Sequence, residues 1–251
     1  LGLSESQAIA KYNEIKNNPF DSIKGCLRLN EDTMLQKFQF YQNELGFSLE
    51  QIFNDFRLIS YDTTSDESKP TSVRAKIKFF RDELDFDNEQ MQTDAIFSYD
   101  IETLRAKVAF LKKAFGFDKS HIKQMPSILN YDTETLTAKA DFYKKHLGFT
   151  SKQFKDFPNL FSFDCDEEST KPTAIINKIS FYKNFIGLKD SHLKAYPCLL
   201  SYDTVSDESV PTSIKAKLKF YRDELGFDNK HIQKSPSLLN HDCVSDETKP
   251  S

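Results

Sequence analysis

The sequence predicts an all-α protein built as an α-solenoid, a curved superhelix of helix–helix–short-helix repeats. Three observations predict it. A lysine-led string recurs as QKFQFY, AKIKFF, AKVAFL, AKADFY, NKISFY and AKLKFY, on Lys37, Lys76, Lys107, Lys139, Lys178 and Lys217. A hinge follows each string at a fixed distance (LGF, LDF, FGF, LGF, IGL, LGF), and each unit closes on SYD, SYD, NYD, SFD, SYD or NHD. Within units, apolar residues recur at helical spacing, whereas the strict alternation that marks a strand does not recur. A unit this short cannot bury its own apolar face, so neighbours have to stack.

The first helix of a unit is carried by stripes such as Ile214, Leu218, Tyr221 and Leu225, or Leu136, Ala140, Tyr143 and Leu147. The stripe predicts that Leu218, Tyr221, Phe181 and Ile232 are buried between units. Thr33, Ser72, Thr103, Thr135 and Ser213 precede the stripes as expected N-caps, with Ala174 the exception. Gly46, Gly116, Gly148, Gly187 and Gly226 end the first helices, because glycine adopts the left-handed C-terminal conformation at least cost. Asp85 takes that place in the second unit and is expected to be a weaker stop.

A second helix starts at once, on Ser48, Asp87, Asp118, Thr150 or Asp228 as N-cap. The residue before the cap and the one four beyond it are both apolar, as in Phe47 with Ile52 and Phe117 with Ile122. That pairing is a hydrophobic staple, which fixes how the chain enters the helix. The fifth unit keeps the staple in Leu188 and Leu193 but has Lys189 at the cap. Pro126, Pro158, Pro197 and Pro236 are expected to end or kink the second helix, or to open a short third one, and the tail after them fits a short 3₁₀ or α turn with two apolar residues packed inward.

Four units are followed by a seven-residue acidic insert: SDESKPT, EESTKPT, SDESVPT and a last one beginning SDETKPS. Residues 1–33 fit the period poorly and are expected to form an irregular or degenerate repeat. Residues 34–251 are expected to form one solenoid domain of six repeats, a piece of a longer array.

Composition narrows function by exclusion. The 23 Phe and 10 Tyr supply a core, so the chain is no disordered tail despite 29% charged residues. No apolar run is long enough to span a membrane. Cys26, Cys165, Cys198 and Cys243 stand far apart, which suits reduced intracellular thiols better than disulfides or a zinc site. No phosphate loop, HExxH, GxSxG or Cys/His pairing is present, so no catalytic residue, metal or cofactor is expected.

The unit resembles the repeat of the mTERF family of mitochondrial transcription termination factors. The resemblance rests on the LGF hinge, the proline ten residues on, the closing YD and the KxxFY helix. It is clearest over 104–132, LRAKVAFLKKAFGFDKSHIKQMPSILNYD. It implies a left-handed array of three-helix units, curved into a half-doughnut, that binds double-stranded nucleic acid, usually organellar DNA and sometimes RNA, along a basic inner face. An organellar location is implied on the same ground.

Net charge is −4, yet the acid is concentrated in the inserts at Asp66, Glu67, Asp166, Glu167, Glu168, Asp207, Glu208, Asp246 and Glu247. Outside them the chain is slightly basic. The lysines of the recurring string share one position, so stacking would align Lys37, Lys76, Lys107, Lys139, Lys178 and Lys217 as a ladder for phosphates. Lys78, Lys112, Lys144, Lys183 and Lys219 add charge on the same helices. The competing reading is a solvated helix face. Lys123, Lys155, Lys194 and Lys234 on the second helices are the fallback phosphate contacts.

Ser127, Asn159, Cys198 and Ser237 vary while the frame around them does not, as base-reading positions of a one-repeat-per-base reader would, or as positions that merely drift. His121, His192 and His231 alternate with Gln51, Gln90 and Gln153 at one helical position, too far apart to share a metal. They suit donor or surface roles. Two function classes follow: a nucleic-acid-binding solenoid, with double-stranded DNA or RNA as partner, and a scaffold that binds a protein on its concave face.

Overall fold

The computed structural model describes residues 30–92 and 97–241, with Ser6, Ile9 and Ala10 besides. The expected irregular segment before residue 30, Cys26, Cys243 and the last insert with Asp246, Glu247 and Lys249 lie outside the described residues, apart from those three positions. Among the described residues the regular structure is helical, and the one extended pairing is an isolated bridge between Asp203 and Ser213. The chain divides into two compact units. One comprises residues 1–113 and 117–132 and contains repeats one to three; the other comprises residues 114–116 and 133–251 and contains repeats four to six.

In the first unit, the first helices are Glu31–Leu45, Val73–Leu84 and Ile101–Phe115. The second helices are Leu49–Asn54, Asn88–Met91 and Lys119–Gln124, and the 3₁₀ helices Phe56–Ser60 and Pro126–Asn130 are third. In the second unit, Thr133–Leu147, Ile175–Phe181 (continued as a π-helical turn over Tyr182–Ile186) and Ile214–Leu225 are first. Ser151–Asp156, Asp190–Ala195 and Asn229–Lys234 are second, and Pro158–Ser162, Pro197–Ser201 and Pro236–Asn240 are third. Within each unit the second helix of a repeat packs on the first helix of the repeat before it.

The caps explain the boundaries. All five hinge glycines are left-handed, and Asp85 joins them at φ 55°. Aspartate enters that region more readily than most residues other than glycine, and Lys119 and Lys123 pair with its carboxylate and carbonyl respectively. Ser72 and Ser213 cap as expected, accepting from Ala75 N and Ala216 N. Thr33 and Thr103 do not cap: they lie one turn inside helices capped by Asn30 and Asp100, whose carboxamide and carboxylate accept from their amides at 2.8 Å. Thr135 likewise lies inside a helix that begins at Thr133. The closing aspartate of repeat two, Asp100, is therefore the cap of repeat three's first helix.

Where an insert follows, the same aspartate organises it. Asp62 and Asp203 accept amides two and three residues on, and their own carbonyls receive Val73 N and Ile214 N. The core is apolar and repeats: Leu45, Phe47, Ile52 and Leu58 are buried in repeat one, Leu147, Phe149, Phe154 and Leu160 in repeat four. Leu218, Tyr221 and Ile232 are buried as expected. Phe181 is only half-buried, because its ring turns outward and stacks at 5.1 Å on the exposed Phe185.

Candidate nucleic-acid interface

The KxxFY string places a lysine and an aromatic four residues apart, on one helical face. That face looks inward. Lys37, Lys76, Lys178 and Lys217 are buried, and Lys107 and Lys139 half-buried. Each ammonium donates to backbone carbonyls at the end of its own repeat's third helix. Lys107 reaches Leu129 O and Tyr131 O at 2.7 and 2.9 Å, and Lys178 reaches Leu200 O and Tyr202 O at 2.9 and 2.8 Å. Lys76 donates to Phe97 O and Lys217 to Leu239 O, at 2.6 and 2.9 Å; Lys37 and Lys139 donate to Tyr61 O and Phe163 O. A short 3₁₀ helix leaves its last carbonyls without intrahelical donors, and the lysine supplies them.

The tyrosine of the string completes the cap. Tyr41, Tyr143, Tyr182 and Tyr221 donate their hydroxyls to Leu58 O, Leu160 O, Leu199 O and Leu238 O. Burial pushes the phenols of Tyr41, Tyr143 and Tyr182 far above their ordinary range, so they remain donors. Burial also lowers the Lys76 and Lys178 ammonium groups, opposed by the closing aspartates Asp100 and Asp203 of the same repeats.

The lysine also joins repeats. Lys76 lies over the Tyr61 ring, Lys107 over Tyr99, Lys178 over Phe163 and Lys217 over Tyr202, at 5.4, 3.7, 5.4 and 4.3 Å from the ring centres. In each case the ring closes the preceding repeat. Tyr99 and Tyr202 in turn donate to Asn130 O and Asn240 O of the next. The expected phosphate ladder is thus corrected: the six ammonium groups sit inside the repeats, bonded to carbonyls, and form neither a phosphate row nor a solvated face. The signal was present in the stripe, since Lys217 lies three residues after Ile214 and four before Tyr221.

A second donor set sits on the second helices. Gln92, Lys123, Lys194 and Gln233 donate to Leu45 O, Asp85 O, Gly148 O and Ile186 O, at the C-terminus of the preceding repeat's first helix. A donor there meets the negative end of the helix dipole. Lys155 holds the equivalent place, and a Cβ at Gly116 would meet its Cε at 2.8 Å.

The alternating His and Gln position is the capping box. Gln51 and Gln90 accept from Ser48 N and Asp87 N through Oε1, and His121, His192 and His231 accept from Asp118 N, Lys189 N and Asp228 N through Nδ1, at 3.1 to 3.2 Å. The glutamines act as acceptors; Nδ1 of His121 and of His231 also lies 2.7 Å from the carboxylate of Asp118 or Asp228, to which it can only donate, so the protonation of that nitrogen sets which of its two contacts forms. His121 and His231 stack on Phe117 and Phe227.

What remains for a ligand is the exposed set. Lys78, Lys145 and Lys219 pair with insert glutamates Glu67, Glu167 and Glu208. Lys183 and Lys144 pair with Asp190 and Asp141. In the second unit, by contrast, the exposed Lys152 and Lys155, Lys189, and Lys230 and Lys234 on or beside the second helices have no acidic partner among the described residues. The matching helices of repeats one and two carry Glu50 and Glu89 instead.

The variable positions lie second in the third helices. Ser127 and Asn159 are exposed; Cys198 and Ser237 are half-buried. Within the second unit the third helices pack in sequence, so Asn159, Cys198 and Ser237 recur along one row. Burial raises the Cys198 thiol, which lies 3.5 Å from Asn240 Oδ1. No group of three or more His, Cys, Asp or Glu is placed to hold a metal, and no helix is long and apolar enough to cross a membrane, among the described residues.

Repeated three-helix units, capped internally and stacked second helix on first, define a helical-repeat binding protein of the all-α class. The mTERF family pattern matches residues 57–242, and the chain belongs to that family of non-enzymatic, nucleic-acid-binding repeat proteins, whose members are often organellar. No curated protein matches the chain.

Proposed function

We propose that the chain binds double-stranded nucleic acid through the second-helix lysines of its second unit. The observation that carries this reading is the recurrence of exposed, acid-free lysines there: Lys152 and Lys155, Lys189, Lys230 and Lys234. Charges recurring on one set of helices suit a phosphate backbone, and such contacts position without reading sequence. Asn159, Cys198 and Ser237, with Ser127 in the first unit, are the proposed base-facing positions, since each follows a second helix directly and varies between repeats. Insert acids neutralise Lys78, Lys145 and Lys219 on the first helices.

The test is a binding series with random duplex DNA, duplex RNA and single strands at low salt. Tight duplex binding that Lys152→Gln, Lys155→Gln, Lys230→Gln and Lys234→Gln together weaken for all sequences alike supports the proposal. Unchanged binding in the quadruple variant contradicts it. Exchanging Asn159 and Cys198 should shift sequence preference while leaving affinity for random duplex intact.

A further inference from the structure

We propose that the stacked rings of Phe181 and Phe185, on the first helix of repeat five, form a docking site for an acidic, aromatic-bearing segment of a protein partner. In other repeats the same two positions are closed by a polar clamp. In repeat one, Arg74 of the next repeat lies 4.8 Å from the centre of the Phe40 ring and 3.6 Å from the Glu44 carboxylate. In repeat two, Arg105 of the next repeat lies 5.9 Å from the Phe79 ring centre and 2.6 Å from Glu83. In repeat four, His146 packs on Phe142 at 4.5 Å with its Nε2 3.1 Å from Glu167 of the following insert. Repeat five has Phe185 where Glu44 and Glu83 stand. Its ring is 57% exposed and stacks at 5.1 Å, within 19° of parallel, on the half-buried Phe181.

The exposure belongs to the position, not to a missing neighbour. Repeat six already covers repeat five, with Asn229 and Gln233 donating to Phe185 O and Ile186 O. With their own following repeats in place, the Glu44 and Glu83 side chains are still 40 and 43% exposed. What has changed is the residue, from a solvated and paired glutamate to an aromatic ring in water. Exposed aromatics of this kind are enriched at protein interfaces, and this one sits on a π-helical turn, a feature that recurs at functional sites. The cation of the clamp is left over as well. Lys215 stands where Arg74 and Arg105 stand, yet it donates to Val205 O at 2.9 Å and forms no ion pair among the described residues. The site therefore exposes an apolar ring and lacks a carboxylate, and a segment carrying an aromatic beside a glutamate supplies both. The insert before repeat six extends the apolar surface: Val205 and Val210, 41 and 36% exposed, replace Thr64 and the Lys69 that pairs with Asp62 in the first insert. Their methyl groups, beside Asp207 and Glu208, suit a protein surface and not a phosphate backbone.

The experiment measures fluorescence anisotropy of a fluorescein-labelled peptide, Glu-Phe-Glu-Glu-Leu-Phe-Glu, titrated with the full chain, beside a control peptide with Gln for every Glu. Saturable binding of the acidic peptide is expected, weakened about tenfold or more by Phe185→Glu, as for loss of an interfacial aromatic anchor. That variant restores the residue type of repeats one and two, so it should fold, and a melting temperature no lower than that of the wild type verifies it. Lys215→Gln should abolish the preference for the acidic peptide over its Gln control while leaving the apolar contact. Absence of saturable binding up to millimolar chain, equal binding by Phe185→Glu, or equal binding of the two peptides to the wild type would overturn the proposal. So would binding of single-stranded oligothymidylate that is lost in Phe185→Glu without any peptide binding, since the rings would then be a surface for bases.

Discussion

Lys217 Nζ donates to Leu239 O at 2.9 Å while lying 4.3 Å from the centre of the Tyr202 ring. The first contact closes repeat six on itself; the second ties it to repeat five. One side chain therefore couples the fold of a repeat to the stacking of its neighbour, which makes it a structural element of the array.

Replacing that ammonium should cost stability first. Lys178→Met keeps the buried stem but leaves Leu200 O and Tyr202 O without their donor. A hydrogen bond to a charged group contributes about 1.5–3 kcal/mol, so a loss of that order is expected in urea unfolding. A change within the error of the measurement would show that the carbonyls find other donors.

The tyrosine of the string should behave as a smaller version of the same cap. Tyr182→Phe removes only the hydroxyl that bonds Leu199 O, with the ring still buried. About 1 kcal/mol should be lost. Phe80 occupies this place in repeat two, so Phe80→Tyr offers the converse: a gain, or no loss, if the carbonyl there is within reach. Chemical denaturation of both variants checks the pair.

Acid should loosen the second helices through their caps. Hydrogen bonds from Ser120 and His121 hold the Asp118 carboxylate below its ordinary value of 3.8, and His231 does the same for Asp228. A carboxyl whose folded value is depressed contributes stability above the unfolded value and loses it as pH falls through the folded one. Melting temperature should therefore fall as pH drops from 4 towards 2. Asp118→Asn should flatten part of that fall while leaving neutral-pH stability little changed. An unchanged acid profile in the variant would remove Asp118 from the account.

Most of the frame is legible in the sequence because each boundary has a local cause. Gly226 marks a left-handed stop, Phe117 and Ile122 a staple, and Pro197 a new 3₁₀ start. Thr103 and Thr135 mislead because Ser or Thr before an apolar stripe looks like a cap. The true cap, Asp100, stands three residues earlier, in the YD that closes the previous unit. The lysines mislead for a different reason. A charged residue at a repeated helical position reads as surface, and only the carbonyls of a helix some twenty residues further on explain its burial. Those carbonyls are backbone groups, which residue types do not display. The exposed second-helix lysines were legible as charge but not as the unpaired set, because pairing with the inserts depends on how the insert loops fold back.

The central claim, that phosphate contact belongs to the second helices and the KxxFY lysines belong to the frame, is tested most directly by salt dependence. Duplex affinity is measured from low to moderate salt for the wild type and two variants, Lys152→Gln/Lys155→Gln/Lys230→Gln/Lys234→Gln and Lys178→Met. Five phosphate contacts give a slope of log affinity against log salt near about −4.5, falling to about −1 when four are removed. The first variant should lose most of its slope with its melting temperature intact. Lys178→Met should melt lower yet keep the wild-type slope wherever it remains folded. A folded Lys178→Met with a flattened slope, beside a quadruple variant with the wild-type slope, would contradict the account and return phosphate contact to the first helices.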